Sequence, residues 1–234
     1  MSIKNWFRKV QQALPAAPST KFVSRKYAVS LYDLLPANAY VLEFGVREDK
    51  GEYPIGGPRA DTRLVTVDIR ELDGADMVAD AHDLHMIEDN SVDCVIAANV
   101  LEHVERPHVC MAEFYRVIKP GGIVYIDTPF IFPFHAAPDD FYRFSHNGLE
   151  VLCRDFEKVD GGFARGPAST MQVLLVHFFG MLLSFGFSPL YVAMTYIFSW
   201  LLFWVKYLDV ILSRFEFAYI LHTSAYFVGR KQAT

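Results

Sequence analysis

Residues 40–45 read Tyr-Val-Leu-Glu-Phe-Gly, and Thr66-Val67-Asp68 repeats the theme of a short apolar run closed by an acid or a glycine. Such runs describe central strands of a parallel sheet whose C-terminal tips open onto a ligand. The theme returns at Met77–Ala79, followed by Asp80, and at Val92–Ala97, followed by Asn99-Val-Leu-Glu-His. Ile123–Asp127, Phe156–Phe163 and Ser224–Gly229 complete the set of expected strands. One acidic strand end is commonly a cap or a turn. Four polar tips in succession (Glu43/Gly45, Asp68, Asp80, Asn99/Glu102) mark a site.

The connections are of two kinds. Val23–Leu35 reads as a helix delivering the chain to the first strand. Pro107–Ile118 reads as a helix with proline in its first turn and a stop at Lys119-Pro-Gly-Gly. Gly148–Cys153 reads as a short one. Between the first two strands, however, Arg47–Thr62 holds Gly51, Pro54, Gly56, Gly57 and Pro58, which excludes a long helix. A loop of that length in a compact domain is usually functional or mobile. Strands alternating with helical or loop crossovers predict a three-layer α/β sheet, mainly parallel.

The run from Val41 to Thr128 resembles the class I S-adenosylmethionine-dependent methyltransferases, in particular the branch called type 11. The resemblance rests on Val41-Leu-Glu-Phe-Gly, Val67-Asp68, Asp80-Ala81 with Leu84, Val100-Leu-Glu-His and Ile118-Lys-Pro-Gly-Gly. It implies a Rossmann-like sheet whose last strand runs antiparallel beside the sixth, and S-adenosylmethionine as cofactor. On the matching positions, Glu43 and Gly45 would line the methionine end and Asp68 would hold the ribose diol. Asp80 with the backbone of Ala81 would meet the adenine, and Asn99 and Val100 would flank the sulfonium. The chain departs from the family's glycine-rich turn, because Gly45 is followed by Val46-Arg47-Glu48-Asp49 and the usual helix is replaced by the Pro/Gly loop. A dinucleotide-binding Gly-x-Gly-x-x-Gly opening a helix is absent.

Methyl transfer to a hydroxyl benefits from a general base, typically worth about 10²–10⁴-fold. The aromatic loop 129–144 supplies candidates: His135, Asp140 and Tyr142 as catalytic groups, with Asp139 and Arg143 beside them. The plainer readings are a loop histidine bonded to backbone and a Tyr142/Arg143 pair that packs and forms salt bridges. The loop resembles segments of family members that act in surface-polysaccharide or lipid-linked glycan pathways. His103 is expected to cap or pack a helix start. His82 and His85 have no partner at a ligand spacing, so no metal site is expected.

Composition bounds the rest. At 234 residues the chain suits one substantial domain and an appendage, and its net charge of -5 argues against a general nucleic-acid binder. Cys94, Cys110 and Cys153 are odd in number and scattered, which fits a reducing compartment. The N-terminus lacks the apolar core and cleavage site of a signal peptide. Residues 1–14 place Ile3, Trp6, Phe7, Val10 and Leu14 at helical spacing opposite Lys4, Arg8 and Lys9. They form either an interfacial amphipathic helix or a terminal helix on its own domain, ended by a Pro15–Thr20 linker.

Gly166–Val205 carries no Asp, Glu, Lys or Arg. It divides at Phe185-Gly-Phe-Ser-Pro189 into two arms, each about 23–25 Å long as a helix at about 1.5 Å per residue, against a hydrocarbon core of roughly 30 Å. Arg165 and Lys206 flank the pair, with Trp200, Trp204 and Tyr207 near its exit. A hairpin that dips into or crosses a membrane, the dry core of an oligomer, and a lid over a lipid substrate compete. The first fits helices that are apolar all round, and it keeps the site on the cytoplasmic side of the membrane. Lys206–Phe217 reads as an amphipathic return helix.

The expected organisation is therefore an N-terminal segment 1–20, a discontinuous sheet domain 21–165 plus 218–234, and a hydrophobic hairpin with its return helix at 166–217. The expected activity is methyl transfer to an oxygen of a lipid-linked or glycan acceptor. The alternative is a catalytically silent relative that scaffolds a membrane complex.

Overall fold

The computed structural model describes residues 30–46, 57–135 and 139–233. The N-terminal helix expected over 1–14, its linker and most of the first connection lie outside those residues. Two compact units emerge, one of residues 30–130, 134–164 and 224–233, the other of 131–133 and 165–223.

The first unit is a seven-stranded sheet: β1 Tyr40–Phe44, β2 Arg63–Asp68, β3 Met77–Val78, β4 Val92–Ala98, β5 Ile118–Pro129, β6 Glu157–Phe163 and β7 Ser224–Arg230. The order is β3-β2-β1-β4-β5-β7-β6. The first five strands pair in parallel, and β7 runs antiparallel between β5 and β6, as expected. The order reverses at β1/β4, which is where open α/β sheets bind ligands beyond their strand ends.

Strand parity sorts the apolar side chains onto the two faces. Leu42, Phe44, Val95 and Val124 join Phe114 of α1 (Pro107–Val117) and Leu149 of α2 (His146–Leu152) in one core. Val41, Ile96, Ile123 and Tyr125 join Leu31, Tyr32 and Leu35 in the other. Of the expected Val23–Leu35 helix, the described part is a single 3₁₀ turn, Leu31–Leu34. The carbonyls around its end are taken by Arg59, which donates to Tyr32 O at 2.5 Å, to Leu35 O at 3.1 Å and to Pro36 O. Asp93, an acid inside the apolar β4, sits at a register shift of that strand. It accepts from the Tyr40 backbone N–H and from Lys119, both at 2.8 Å. At the other end of β7, the buried Lys231 Nζ donates to Asn90 Oδ1, Tyr115 O and Ile118 O at 2.6–2.8 Å and lies 4.6 Å from the Tyr115 ring.

The second unit contains a helical hairpin, α3 Pro167–Ser184 and α4 Ser188–Leu201, turned through Phe185 and Gly186 in left-handed conformation. Gly180 permits the close approach of the two helices, since a Cβ there would stand 2.6 Å from Thr195 Cγ2. Phe179 stacks on Phe198, and His177 bonds Tyr191 at 2.7 Å. The expected return helix is broken into a 3₁₀ turn Val205–Leu208, the short α5 Asp209–Leu212 and a 3₁₀ turn Glu216–Ile220. Asp209 supplies part of the reason. Its carboxylate accepts from the backbone of Ala168 (2.7 Å) and Ser169 (2.9 Å) and from Ser169 Oγ (2.6 Å), capping α3 rather than facing solvent. Among the described residues, α3 is long and apolar enough to cross a membrane, and Ser188–Leu201 with Val205–Leu212 passes the same test as a pair bent by 43°.

Candidate functional site

The tips of β1, β2 and β4 surround a cavity of about 390 Å³. Its wall includes Gly45, Asp68, Asp80, Ala81, Asn99 and Val100, so six of the seven positions expected to hold a cofactor converge there. Gly45 has φ +86°, which leaves its backbone bare toward the cavity, and a Cβ would meet Val100 at 3.4 Å. Asn99 adopts φ +55° with its N–H on Asp127 O at 2.8 Å, a left-handed turn that asparagine tolerates. The exception is Glu43. It is 4% exposed inside β1 and does not line the cavity, because strand parity puts it on the face of Val41, opposite Leu42 and Phe44.

The carboxylates on the wall are held by their neighbours. Asp68 accepts from the backbone of Val46 (3.2 Å) and Arg70 (3.0 Å), which fixes its plane and leaves lone pairs for a ligand hydroxyl. Asp80 Oδ1 accepts from the His82 backbone (2.9 Å) and ring (2.7 Å). Burial pushes the Asp80 carboxyl up, but these bonds together with the nearby charges of His82 and Arg106 hold it below its ordinary value.

The aromatic loop brings a second set of groups next to His103, itself part of the cavity wall. Phe141 and Tyr142 donate their backbone N–H groups to Glu102 O at 2.8 and 3.3 Å, which ties the loop to the turn after β4. Asp140 has a fully buried carboxylate in a two-pronged pair with Arg143, and it also accepts from the His135 backbone at 2.9 Å. The Arg143 hydrogen bonds hold Asp140 well below the usual carboxylate range. Its oxygen lies 3.4 Å from His135 Nδ1. Tyr142 gives its hydroxyl to Glu105 O at 2.8 Å and stacks on Phe144. Asp140 and Tyr142, expected as catalytic groups, are thus engaged in holding the loop, and His135 is the one whose Nε2 faces another reactive group.

That group is Glu102. It is 0% exposed, and neither carboxylate oxygen has a hydrogen-bond partner. Burial pushes it up to about 8, with Asp127 adding to the rise and Arg143 opposing it. In the sequence, Glu102 marks a strand tip and His103 is expected to cap or pack a helix start. Their meeting with His135 was invisible because more than thirty residues separate His103 from His135. His82 and His85 each pair with the aspartate two residues before them. All three cysteines are free and buried.

Residues 59–126 match the family model described as a methyltransferase domain. The chain is 36% identical over 99 residues to an uncharacterized methyltransferase of Mycobacterium avium strain 104, a match over 42% of this chain and 35% of that protein. It is 45% identical over 49 residues to one of Mycobacterium bovis BCG, over 20% of this chain and 19% of that protein. The chain therefore spans about a third or less of the curated relatives it matches. Among solved structures it is similar to Haemonchus contortus phosphoethanolamine N-methyltransferase 2 in complex with S-adenosyl-L-methionine. There the identity is 16% and the TM-score 0.51, covering 87% of this chain and 51% of that one, a likeness of fold.

Proposed function

We propose that this chain, which carries a methyltransferase domain, binds S-adenosylmethionine in the cavity beyond β1, β2 and β4 and transfers its methyl group to an acceptor beside the aromatic loop. The observation that carries the reading is the convergence of Gly45, Asp68, Asp80, Ala81, Asn99 and Val100 on one cavity. The residues fit the cofactor. The bare backbone at Gly45 admits close approach, Asp68 is oriented to accept from a ribose diol, and Asp80 with Ala81 offers an edge for adenine. The volume lies within the range of pockets for small ligands. When bound, the cofactor supplies an electrophilic methyl carbon on a sulfonium. The chain's own part is to orient that group and the acceptor, which for an in-line displacement is much of the catalysis. At the acceptor side stand Glu102, His103 and His135, with Asp140 and Arg143 positioning His135 and Tyr142 bracing the loop.

We further propose that the acceptor is an oxygen of a lipid-linked or glycan molecule and that the second unit holds the enzyme on the cytoplasmic side of a membrane. The inverted polarity of that unit supports this. Ser169, Thr170, Gln172, Lys206 and Asp209 are buried, while Phe178, Met181, Leu182, Phe187 and Trp204 are exposed.

Titration of the purified protein with S-adenosylmethionine tests the first reading. Binding is expected, and a folded protein without affinity overturns it. Labelling a native membrane extract with methyl-labelled cofactor tests the second. The expected product extracts with lipid, whereas tight cofactor binding with no product in any fraction favours a silent scaffold.

A further inference from the structure

We propose that Glu102, His103 and His135 form the protein half of a divalent cation site on the wall of the cofactor cavity, suited to zinc or a similar first-row ion. One ligand atom from each residue lies within 4.8 Å of the others. His103 Nε2 is 3.6 Å and His135 Nε2 is 3.9 Å from the same oxygen, Glu102 Oε1. Both separations exceed a hydrogen bond. They lie close to what a shared ion requires, since bonds of about 2.0–2.2 Å in a tetrahedron set ligand atoms roughly 3.3–3.6 Å apart.

Two further observations point the same way. First, the Glu102 carboxylate is fully buried with neither oxygen hydrogen-bonded, and it is aimed at the two imidazoles. A buried carboxylate with both oxygens unbonded is costly unless a cation or a donor meets them. Second, the far nitrogens are already tied down. His103 Nδ1 bonds the Asp139 carbonyl, and His135 Nδ1 faces the Asp140 carboxylate at 3.4 Å. A carbonyl or carboxylate on Nδ1 is the usual support of a metal-ligating histidine, because it fixes the tautomer and the orientation of the ring. Two histidines and one glutamate are the protein ligands of a hydrolytic zinc site, with the remaining positions open.

The placement gives the ion a role if the methyl-transfer reading holds, on which only this consequence rests. His103 belongs to the cavity wall, so an acceptor oxygen bound at an open position would lie near the transferable methyl group and lose its proton more readily. The acceptor class would then be a hydroxyl or other oxygen able to ligate a cation, rather than a carbon or an amine.

The test uses the full chain after chelator treatment, titrated with Zn²⁺ by calorimetry and with Co²⁺ by visible absorption. One ion per chain is expected, with affinity falling at least tenfold in Glu102→Gln and in His103→Ala or His135→Ala. His146→Ala, on the exposed start of α2, should leave it unchanged. Folding of each variant is checked by circular dichroism, and Glu102→Gln keeps the shape of the buried side chain. Stoichiometric metal absent from folded wild type, or equal affinity in the double histidine variant, overturns the proposal. Cofactor titration of the metal-free protein separates the two readings. Cofactor binding without any metal site sinks this proposal alone, and metal binding without cofactor sinks only the methyl-transfer reading.

Discussion

The two units place polarity in opposite ways. In the sheet unit, Leu42, Val95, Ile96 and Ile126 are buried and the acids stand at strand tips or in paired positions. In residues 165–223, the buried apolar side chains are Ala168, Val176 and Ala218, and the large ones are half-buried or exposed, Phe185 at 88%. Water organises the first unit, since each buried aliphatic side chain contributes about 1.5–3 kcal/mol only if its surroundings are drier than the exterior. In the second, polar side chains turn inward to bond one another, as Thr170 does with Thr223 and Asp209 with the start of α3, the pattern that the proposed membrane anchoring would require.

The contrast can be broken most sharply at the exposed face of the hairpin. Replacing Phe178 and Leu182 by glutamate should lower flotation with phosphatidylglycerol-containing vesicles by at least about a hundredfold, given about 1.5–3 kcal/mol per apolar side chain. An unchanged flotation profile would show that the face serves something other than lipid.

Next in size is the lock at the end of β7. Lys231→Met strands three carbonyl-type acceptors in the sheet unit and should cost on the order of 3 kcal/mol in chemical unfolding. Asp68→Ala should weaken S-adenosylmethionine binding about 10–100-fold, the worth of one or two charge-assisted hydrogen bonds, while leaving vesicle flotation alone. If flotation falls too, the division of labour between the units is wrong. Asp209→Ala should lower the stability of the hairpin unit by about 1–2 kcal/mol, read as earlier proteolysis within 165–223.

The smallest expected effect is a pH dependence confined to the sheet unit. Hydrogen bonding to Arg116 holds the Glu113 carboxyl below its ordinary 4.5, against the opposing pull of burial. The unfolded chain then takes up the proton first. The stability from this pair is present above about pH 4.5 and is lost as pH falls through the lowered folded value. Glu113→Gln should remove that acid-side loss, which melting curves between pH 3 and 6 would record.

The strands and their polar tips are legible because each depends on local pattern, whereas the antiparallel last strand and the roles of Gly45, Asp68, Asp80, Ala81, Asn99 and Val100 follow from the family resemblance. The boundaries were less so. β5 begins at Ile118 instead of Ile123, because Lys119-Pro-Gly-Gly, a stop for the helix, is also a place where the chain can already pair. The return helix failed because its Asp209 answers to α3, a partner that local periodicity does not reveal.

What the sequence by itself determined is the sheet and its polar tips, since apolar runs of strand length closed by acids have few other ways to fold. Only the tertiary structure decided which of those tips share a site. It turned Glu43 away by strand parity and tied up Asp140 with Arg143. It also brought His135, from a loop beyond β5, to within 3.9 Å of the Glu102 carboxylate. Burial and partnership are properties of the packed chain, and they decide whether a carboxylate is a brace, a cap or a ligand.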